Sequence, residues 1–324
     1  MLDPAWLAAL AAIHRLGAFD LAASALSVTP PAISQRIRAL EERVGMRLIR
    51  RGQPCEATPE GLRLIRHYDE IRLLERQLAE DLPALATGPA PLRIAVNADS
   101  LATWVLPALA SCEGFLFDLV IDDQDVSQDW LRRGEVMAAI TAHPGPLQGC
   151  DTIALGALRY LATASPGYMA RWFPDGVSAG ALARAPSLIY SGKDRLQQDW
   201  AERVAGSYPG PVSGLDSGLV SGLDSGAGSA PLTLPCHRIG ASQAFVDAAL
   251  LGLGWAMNPE ALARPHLDAG RLVEIRPDSA LDVTLYWQFP RLVAPALAPL
   301  TREIRLAAAA VLVPPPASGP APTT

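Results

Sequence analysis

Two groups of residues carry side chains whose types and spacing can do chemistry. The first is Ser34-Gln35-Arg36 with Arg38, inside PPAISQRIRALEERV, followed by the pair Arg50-Arg51. A helix entering the major groove of DNA needs hydrogen-bonding side chains on its first turns for base edges, and arginines for the flanking phosphates. Ser34, Gln35, Arg36 and Arg38 supply both, and Arg50 and Arg51 can hold phosphate from the segment that follows. The competing reading is the solvated face of an ordinary helix. The second group lies in AVNADSLATWVLPALA, Ala95 to Ala110, where an apolar strand-like run breaks into Asn97-Ala98-Asp99-Ser100 and a helix-like run begins at once. A helix cap explains a carboxylate and a hydroxyl at that seam. A ligand site explains them too, because the crevice beyond a strand's carboxyl end and the unpaired N–H groups of a helix start both receive ligands. Ser242 opens another apolar helix, SQAFVDAALLG, with the same two readings.

Other chemistries find no complete residue set. Cys236-His237 adjoin, but no second ligand pair stands at zinc spacing. GLGWA at 252–256 lacks the third glycine of a dinucleotide loop, and no G-x-S-x-G elbow occurs. Nothing points to catalysis, and no metal or cofactor is expected. Trp104 can stack on a guanidinium, although a Trp on an apolar helix is more often core.

The elements that must position these groups follow from periodicity and punctuation. Helices are expected at 4–16, 19–26 and 30–44, the last with Ile33, Ile37, Leu40 and Val44 as its inner stripe and closed by Gly45. Leu48 to Thr58, with Arg50-Arg51-Gly52 and Pro54, suits a short hairpin or wing. A long helix over 59–82 repeats Leu64, Ile71 and Leu78, with Leu74 between, a stripe that suits packing against a partner helix. Thr87-Gly88-Pro89-Ala90-Pro91 reads as a hinge.

From 92 onward, strands at 92–96, 116–122, 136–141, 158–164, 187–191, 232–236, 254–257, 271–275 and 283–289 alternate with helical patterns. That alternation predicts an α/β fold of parallel sheets with crossover helices. A last helix is expected over 294–312. GLDSG occurs twice within 214–226, which reads as a duplicated flexible insertion, and the closing PPPASGPAPTT reads as a disordered tail.

The 324 residues suggest two or three domains, and 50% hydrophobic residues allow a sizeable core. The net charge of −6 argues against a chain that coats nucleic acid or membrane along its whole length. Its distribution is uneven: residues 1–66 hold nine Arg against six acids, a balance of +3, so the remainder carries −9. A basic segment on an acidic body suggests one local phosphate-binding surface. Four dispersed cysteines read as reduced thiols, and the N-terminus lacks the basic lead of a signal peptide, so a cytoplasmic protein without a membrane segment is expected.

SALSVTPPAISQRIRALEERVGMRLIRR followed by TPEG resembles the winged helix-turn-helix of LysR-type transcriptional regulators. AVNADSLATWVLPALA, LRRGEVMAAI, LGALRYLATAS and PCHRIGASQAFV are similar to the ArgP/LysG branch of that family, regulators of basic amino-acid export. The resemblance implies a DNA-binding domain over 1–58, a dimerising linker helix over 59–83, a hinge at 84–91 and a periplasmic-binding-protein-like effector domain of two α/β lobes. Lobe I would span 92–162 and 269–312, lobe II 163–268 with the insertion at 210–230, and the tail 313–324. It further implies a dimer or tetramer, promoter DNA and RNA polymerase as partners, and control of an amino-acid exporter gene by L-lysine or L-arginine bound between the lobes. The DNA-contacting set would be Thr29, Ser34, Gln35, Arg36, Arg38, Arg50 and Arg51. One departure is that Thr29 is followed by Pro30, where the family usually has Gln, so one expected DNA contact is missing. An α-amino acid effector has a carboxylate for Ser100 and the first-turn amides, and cations for Asp99 and for Asp122, Asp123 and Asp125, with Ser242 facing from the other lobe. Capping competes at Asp99 and Ser242, and a solvated loop competes for the Asp122–Asp125 run. A LysR-type regulator answering to a different small molecule is the alternative within the family. Transport receptors share the α/β fold but carry export signals.

Overall fold

The computed structural model describes residues 2–82, 88–121, 127–145, 147–206 and 232–314. Its N-terminal head starts with α1 (Pro4–Leu16), where the Asp3 carboxylate accepts the Ala5 N–H at 2.8 Å and Gly17, at φ 72°, ends the helix. α2 (Phe19–Ala25) and α3 (Pro30–Val44) follow, then a hairpin of β1 (Ile49–Arg50) and β2 (Glu56–Ala57). Leu7, Leu10 and Ile13 interlock with Ile33, Ile37 and Leu40 as the head's core, so the apolar stripe read from the sequence faces inward and the polar residues of α3 face out. Val44, expected in that stripe, is half-buried at its edge.

α4 (Pro59–Asp81) is capped by Thr58, whose hydroxyl oxygen accepts the Gly61 N–H at 3.2 Å and whose O–H donates to the Arg47 carbonyl at 3.0 Å. Gly61 is required here: a Cβ would lie 2.3 Å from the Leu48 carbonyl oxygen, so only glycine lets the hairpin seat on the first turn of α4. Arg15, in the last turn of α1, grips both carboxylate oxygens of buried Asp69 at 2.5 and 2.6 Å and locks α1 onto α4. Further along, Leu73 inserts into the core of the body, while Arg76 donates to the Gly114 carbonyl and lies 4.1 Å from the Phe115 ring centroid. The face that α4 buries within its own chain therefore runs through Ile65 and Leu73. Leu74 and Leu78, from the stripe expected to meet a partner helix, stand exposed, as does Leu82 just beyond the helix.

The body begins with β3 (Ala90–Val96), which takes up the last two residues expected in the hinge. It continues through α5 (Ala98–Ser100), a π-helical turn (Leu101–Val105), α6 (Leu106–Ala110), β4 (Phe115–Ile121), α7 (Ser127–Arg133), β5 (Ala138–Thr141) and β6 (Cys150–Ala164). Then come α8 (Pro166–Trp172), α9 (Ala179–Leu182), β7 (Ser187–Ile189), α10 (Leu196–Val204), β8 (Cys236–Arg238), α11 (Ser242–Leu250), β9 (Ala256–Pro259) and α12 (Glu260–Asp268). β10 (Val273–Glu274), β11 (Leu281–Pro290) and α13 (Ala298–Val311) close the chain.

The main sheet has seven strands in the order β10-β6-β11-β5-β3-β4, with β9 also on β6. β3 pairs parallel with β4 and β5, as expected, but β11 runs antiparallel to β5 and β6, and β6 antiparallel to β9 and β10. The sheet is therefore mixed, with the expected parallel pairing confined to β3, β4 and β5. Apolar spacing reports where strands lie, whereas their direction depends on pairings between residues more than ninety positions apart. β6 also starts eight residues before its expected boundary, at Cys150. A smaller lobe pairs β7 with β8 and packs Leu188, Phe245, Val246 and Ala249 around its own centre. Trp104, Trp200, Trp255 and Trp287 are fully buried, so Trp104 is core and does not offer its ring face to a ligand. Val313, expected in the tail, bridges to Ala157 on β6; the repeat segment and residues 315–324 lie outside the described residues.

Candidate functional site

On the head, α3 and the hairpin form one groove of about 730 Å³ lined by Ser34, Arg38, Glu41, Glu42, Arg47 and Arg51, with Ile37 and Met46 supplying apolar floor. Four expected DNA-contacting residues, Gln35, Arg38, Arg50 and Arg51, are exposed, and Ser34 and Arg36 are half-buried. Arg50 is partly engaged across the hairpin, 3.2 Å from the Glu56 carboxylate, and the Arg51 guanidinium lies 5.4 Å from the Phe19 ring centroid. Thr29 is exposed at the head of α3, and its side chain makes no capping bond. Pro30 and Pro31 occupy the next two positions and carry no N–H, so α3 presents fewer amides to a phosphate than most helix starts.

Glu41 is an acid among these arginines, and its bonds explain its place. Its Oε1 accepts the N–H groups of Leu48 and Ile49 at 2.9 and 3.4 Å, so it ties α3 to the hairpin. Arg47, which lines the groove with its guanidinium 3.6 Å from Glu41, was not singled out from the sequence, although it stands in the same basic run.

The second constellation forms where β3 ends. Asn97, not Asp99, caps the helix: its Oδ1 accepts the Ser100 N–H at 2.7 Å. Asp99 instead turns its carboxylate toward the opposite lobe. Its Oδ2 accepts the Tyr160 O–H at 2.8 Å, and its Oδ1 accepts the Ser242 O–H at 2.6 Å. Ser242 likewise does not cap α11, because Ala241 occupies the cap position without a side-chain bond. Both capping alternatives are thereby removed, and residues 143 positions apart meet at one carboxylate.

Ser100 is fully buried, and its hydroxyl finds no hydrogen-bond partner among the described residues; the same holds for Asn97 Nδ2 and Trp104 Nε1. After Ser100 the helix widens into its π turn. Pro107 cannot donate an N–H to the turn before it, and the wider register accommodates that loss. Asp122, Asp123 and Asp125 fall outside the described residues.

Two residues near this constellation escaped the sequence reading. Tyr160 lies in the middle of β6, and its phenol is held neutral far above the usual range by burial, by the negative charge and hydrogen bond of Asp99, and by the charge of Asp194. Asp194 sits in the loop between β7 and α10, where its carboxylate accepts the N–H groups of Tyr190 and Leu196 at 2.8 and 3.1 Å. Nothing in local sequence marks Tyr160, a tyrosine inside an apolar strand. Asp194 sits beyond the carboxyl end of β7, the position that drew attention to Asp99 after β3. Among the described residues no cluster of His, Cys, Asp and Glu is arranged to hold a metal ion, and no helix is long and apolar enough to cross a membrane.

Comparison with known proteins bears on both sites. Residues 4–62 match the family model of the bacterial regulatory helix-turn-helix proteins of the lysR family. The chain is 39% identical to the HTH-type transcriptional regulator LysG of Mycobacterium tuberculosis over 308 residues, 95% of this chain and 94% of that protein. It is 38% identical to the HTH-type transcriptional regulator ArgP of Pseudomonas fluorescens over 319 residues, 97% of this chain and 99% of that protein. The crystal structure of ArgP from M. tuberculosis superposes with a TM-score of 0.77 at 38% identity, covering 97% of this chain and all of the other. Full-length LysG from Corynebacterium glutamicum with bound effector Arg gives 0.64 at 34% identity, over 96% of this chain and all of that one. A basic winged head, a long helix and a two-lobed α/β body, matched along nearly their whole length, place this chain in the LysR family of bacterial transcriptional regulators, among the LysG and ArgP proteins.

Proposed function

We propose that this regulator senses a basic amino acid, L-arginine or L-lysine, in the cleft between its lobes and adjusts transcription of an amino-acid exporter gene in response. The observation that carries this reading is the Asp99 carboxylate, turned away from capping and bonded to hydroxyls from lobe I and from the facing lobe. A carboxylate in a partly buried site suits a ligand that brings a cation, because opposite charges buried together lower the cost of burying each. The Ser100 hydroxyl, fully buried, is suited to the ligand's carboxylate. The arginine bound to the C. glutamicum relative supports the same assignment.

Closure of the cleft on its ligand favours one arrangement of the lobes, and the linker carries that preference to the heads. Thr29, Ser34, Gln35 and Arg36 meet base edges and sugar-phosphate at the start of α3, while Arg38, Arg50 and Arg51 hold phosphate. The protein works in the cytoplasm as a dimer or tetramer joined through α4, whose Leu74 and Leu78 are exposed, and acts on transcription together with RNA polymerase. A gel-shift titration on the intergenic DNA beside the exporter gene, with and without each basic amino acid, tests the reading. The expected result is a changed shift pattern with arginine or lysine, together with changed transcription in vitro. Unchanged DNA binding and transcription across all basic amino acids would refute it.

A further inference from the structure

We infer that Tyr160 is a positioning residue for the effector: its hydroxyl sets the Asp99 carboxylate so that one oxygen is held by lobe I and the other meets Ser242 of the facing lobe. The inference rests on the basic amino-acid reading above.

Tyr160 is placed for this role by the sheet. It pairs with Leu281 of β11 on one side and Pro259 of β9 on the other, where β6 passes between its two sets of partners. The ring is 1% exposed, so the hydroxyl at its tip must find a partner within the protein. Asp99 Oδ2, at 2.8 Å, is that partner. With burial and two nearby carboxylates keeping the phenol protonated, Tyr160 acts only as a donor toward Asp99. A donor fixed in a strand removes the carboxylate's freedom to rotate. It also favours the charged form, on which discrimination between cationic and neutral ligands depends. Ser242 then closes the second bond at 2.6 Å from the start of α11. The two hydroxyls are a clasp on one carboxylate, one jaw rigid and the other moving with its lobe.

The test uses the full-length protein and calorimetric titration with L-arginine and L-lysine. Y160F, which keeps the ring and removes only the hydroxyl, is expected to bind both about tenfold more weakly, the usual effect of losing a bond to a charged group. S242A is expected to show a similar loss. Because both act through Asp99, the double variant is expected to stay within about threefold of either single variant, rather than multiplying the losses. Circular dichroism and unliganded melting check that each variant is folded. If Y160F does not fold, S242A alone decides: binding within twofold of the unsubstituted protein overturns the clasp. With Y160F folded, binding within twofold, or losses that multiply, overturns the positioning role. Failure of the unsubstituted protein to bind either amino acid would overturn the effector reading itself, a distinct outcome.

Discussion

Ser100→Ala should move stability and ligand affinity in opposite directions. The Ser100 side chain is fully buried and its hydroxyl has no hydrogen-bond partner among the described residues. A buried hydroxyl without a bond costs a protein about 1–3 kcal/mol relative to a satisfied one, so its removal relieves a penalty and opens space for a single oxygen atom. The unliganded variant should therefore be as stable as its parent, or more stable by about 1 kcal/mol. If that hydroxyl donates to the effector carboxylate, its loss weakens binding by about 1.5–3 kcal/mol, about 10- to 150-fold. The two effects combine in a thermal-shift assay. At a ligand concentration 100 times the parent's Kd, binding stabilises the parent by about 2.7 kcal/mol; a 30-fold weaker variant gains only about 0.9 kcal/mol at the same concentration. The expected record is an unliganded melting point equal or higher, with a ligand-induced rise cut to less than half. An unliganded variant destabilised by more than about 1 kcal/mol, with arginine affinity within twofold, would show that Ser100 is a packing residue and refute the reasoning.

Substituting Arg38 or Arg51 by Ala should weaken DNA binding on every sequence. Each substitution that removes a phosphate-binding charge should also reduce the slope of log affinity against log salt by about 1, measured by fluorescence anisotropy. Arg50→Ala should cost less, because Arg50 is already shared with Glu56. Leu73→Ala should destabilise the protein by about 2–5 kcal/mol in chemical denaturation, since Leu73 is 1% exposed in the body core and anchors α4 there. Leu78→Glu places a charge on a residue 49% exposed on α4, and should shift the assembly toward monomer in sedimentation velocity without a comparable loss of fold. His14 is shifted below its usual 6.5 by burial, then by the charges of Arg93 and Arg15. The unfolded chain therefore binds a proton at a pH where the folded ring does not, so stability falls as pH drops below 6.5 toward the folded value. His14→Gln should flatten that part of the stability–pH curve in urea melts.

Local order was legible from the chain alone. α1 and α3 run over the residues expected, because proline, an apolar stripe and a closing glycine act within one or two turns. The helix-turn-helix, the hairpin and the alternation of strands and helices follow from equally short-range signals. Asp99, Ser100 and Ser242 stand out by their place at the starts of apolar helices, but the reason for Asp99 was not legible. A carboxylate one residue into a helix looks like a cap until the structure shows Asn97 already doing that work.

Neighbours within a few positions encode the set of elements, the arginines of α3 and the small polar residues after β3 and at the start of α11. The antiparallel course of β6 and β11, the split of α4 into a buried face through Ile65 and Leu73 and an exposed one through Leu74 and Leu78, and the meeting of Asp99, Tyr160 and Ser242 arise only when the chain packs on itself. Those outcomes depend on which surfaces of distant segments pack together. Such a choice is made by the total apolar area buried and the polar groups satisfied, not by the pattern of any one stretch.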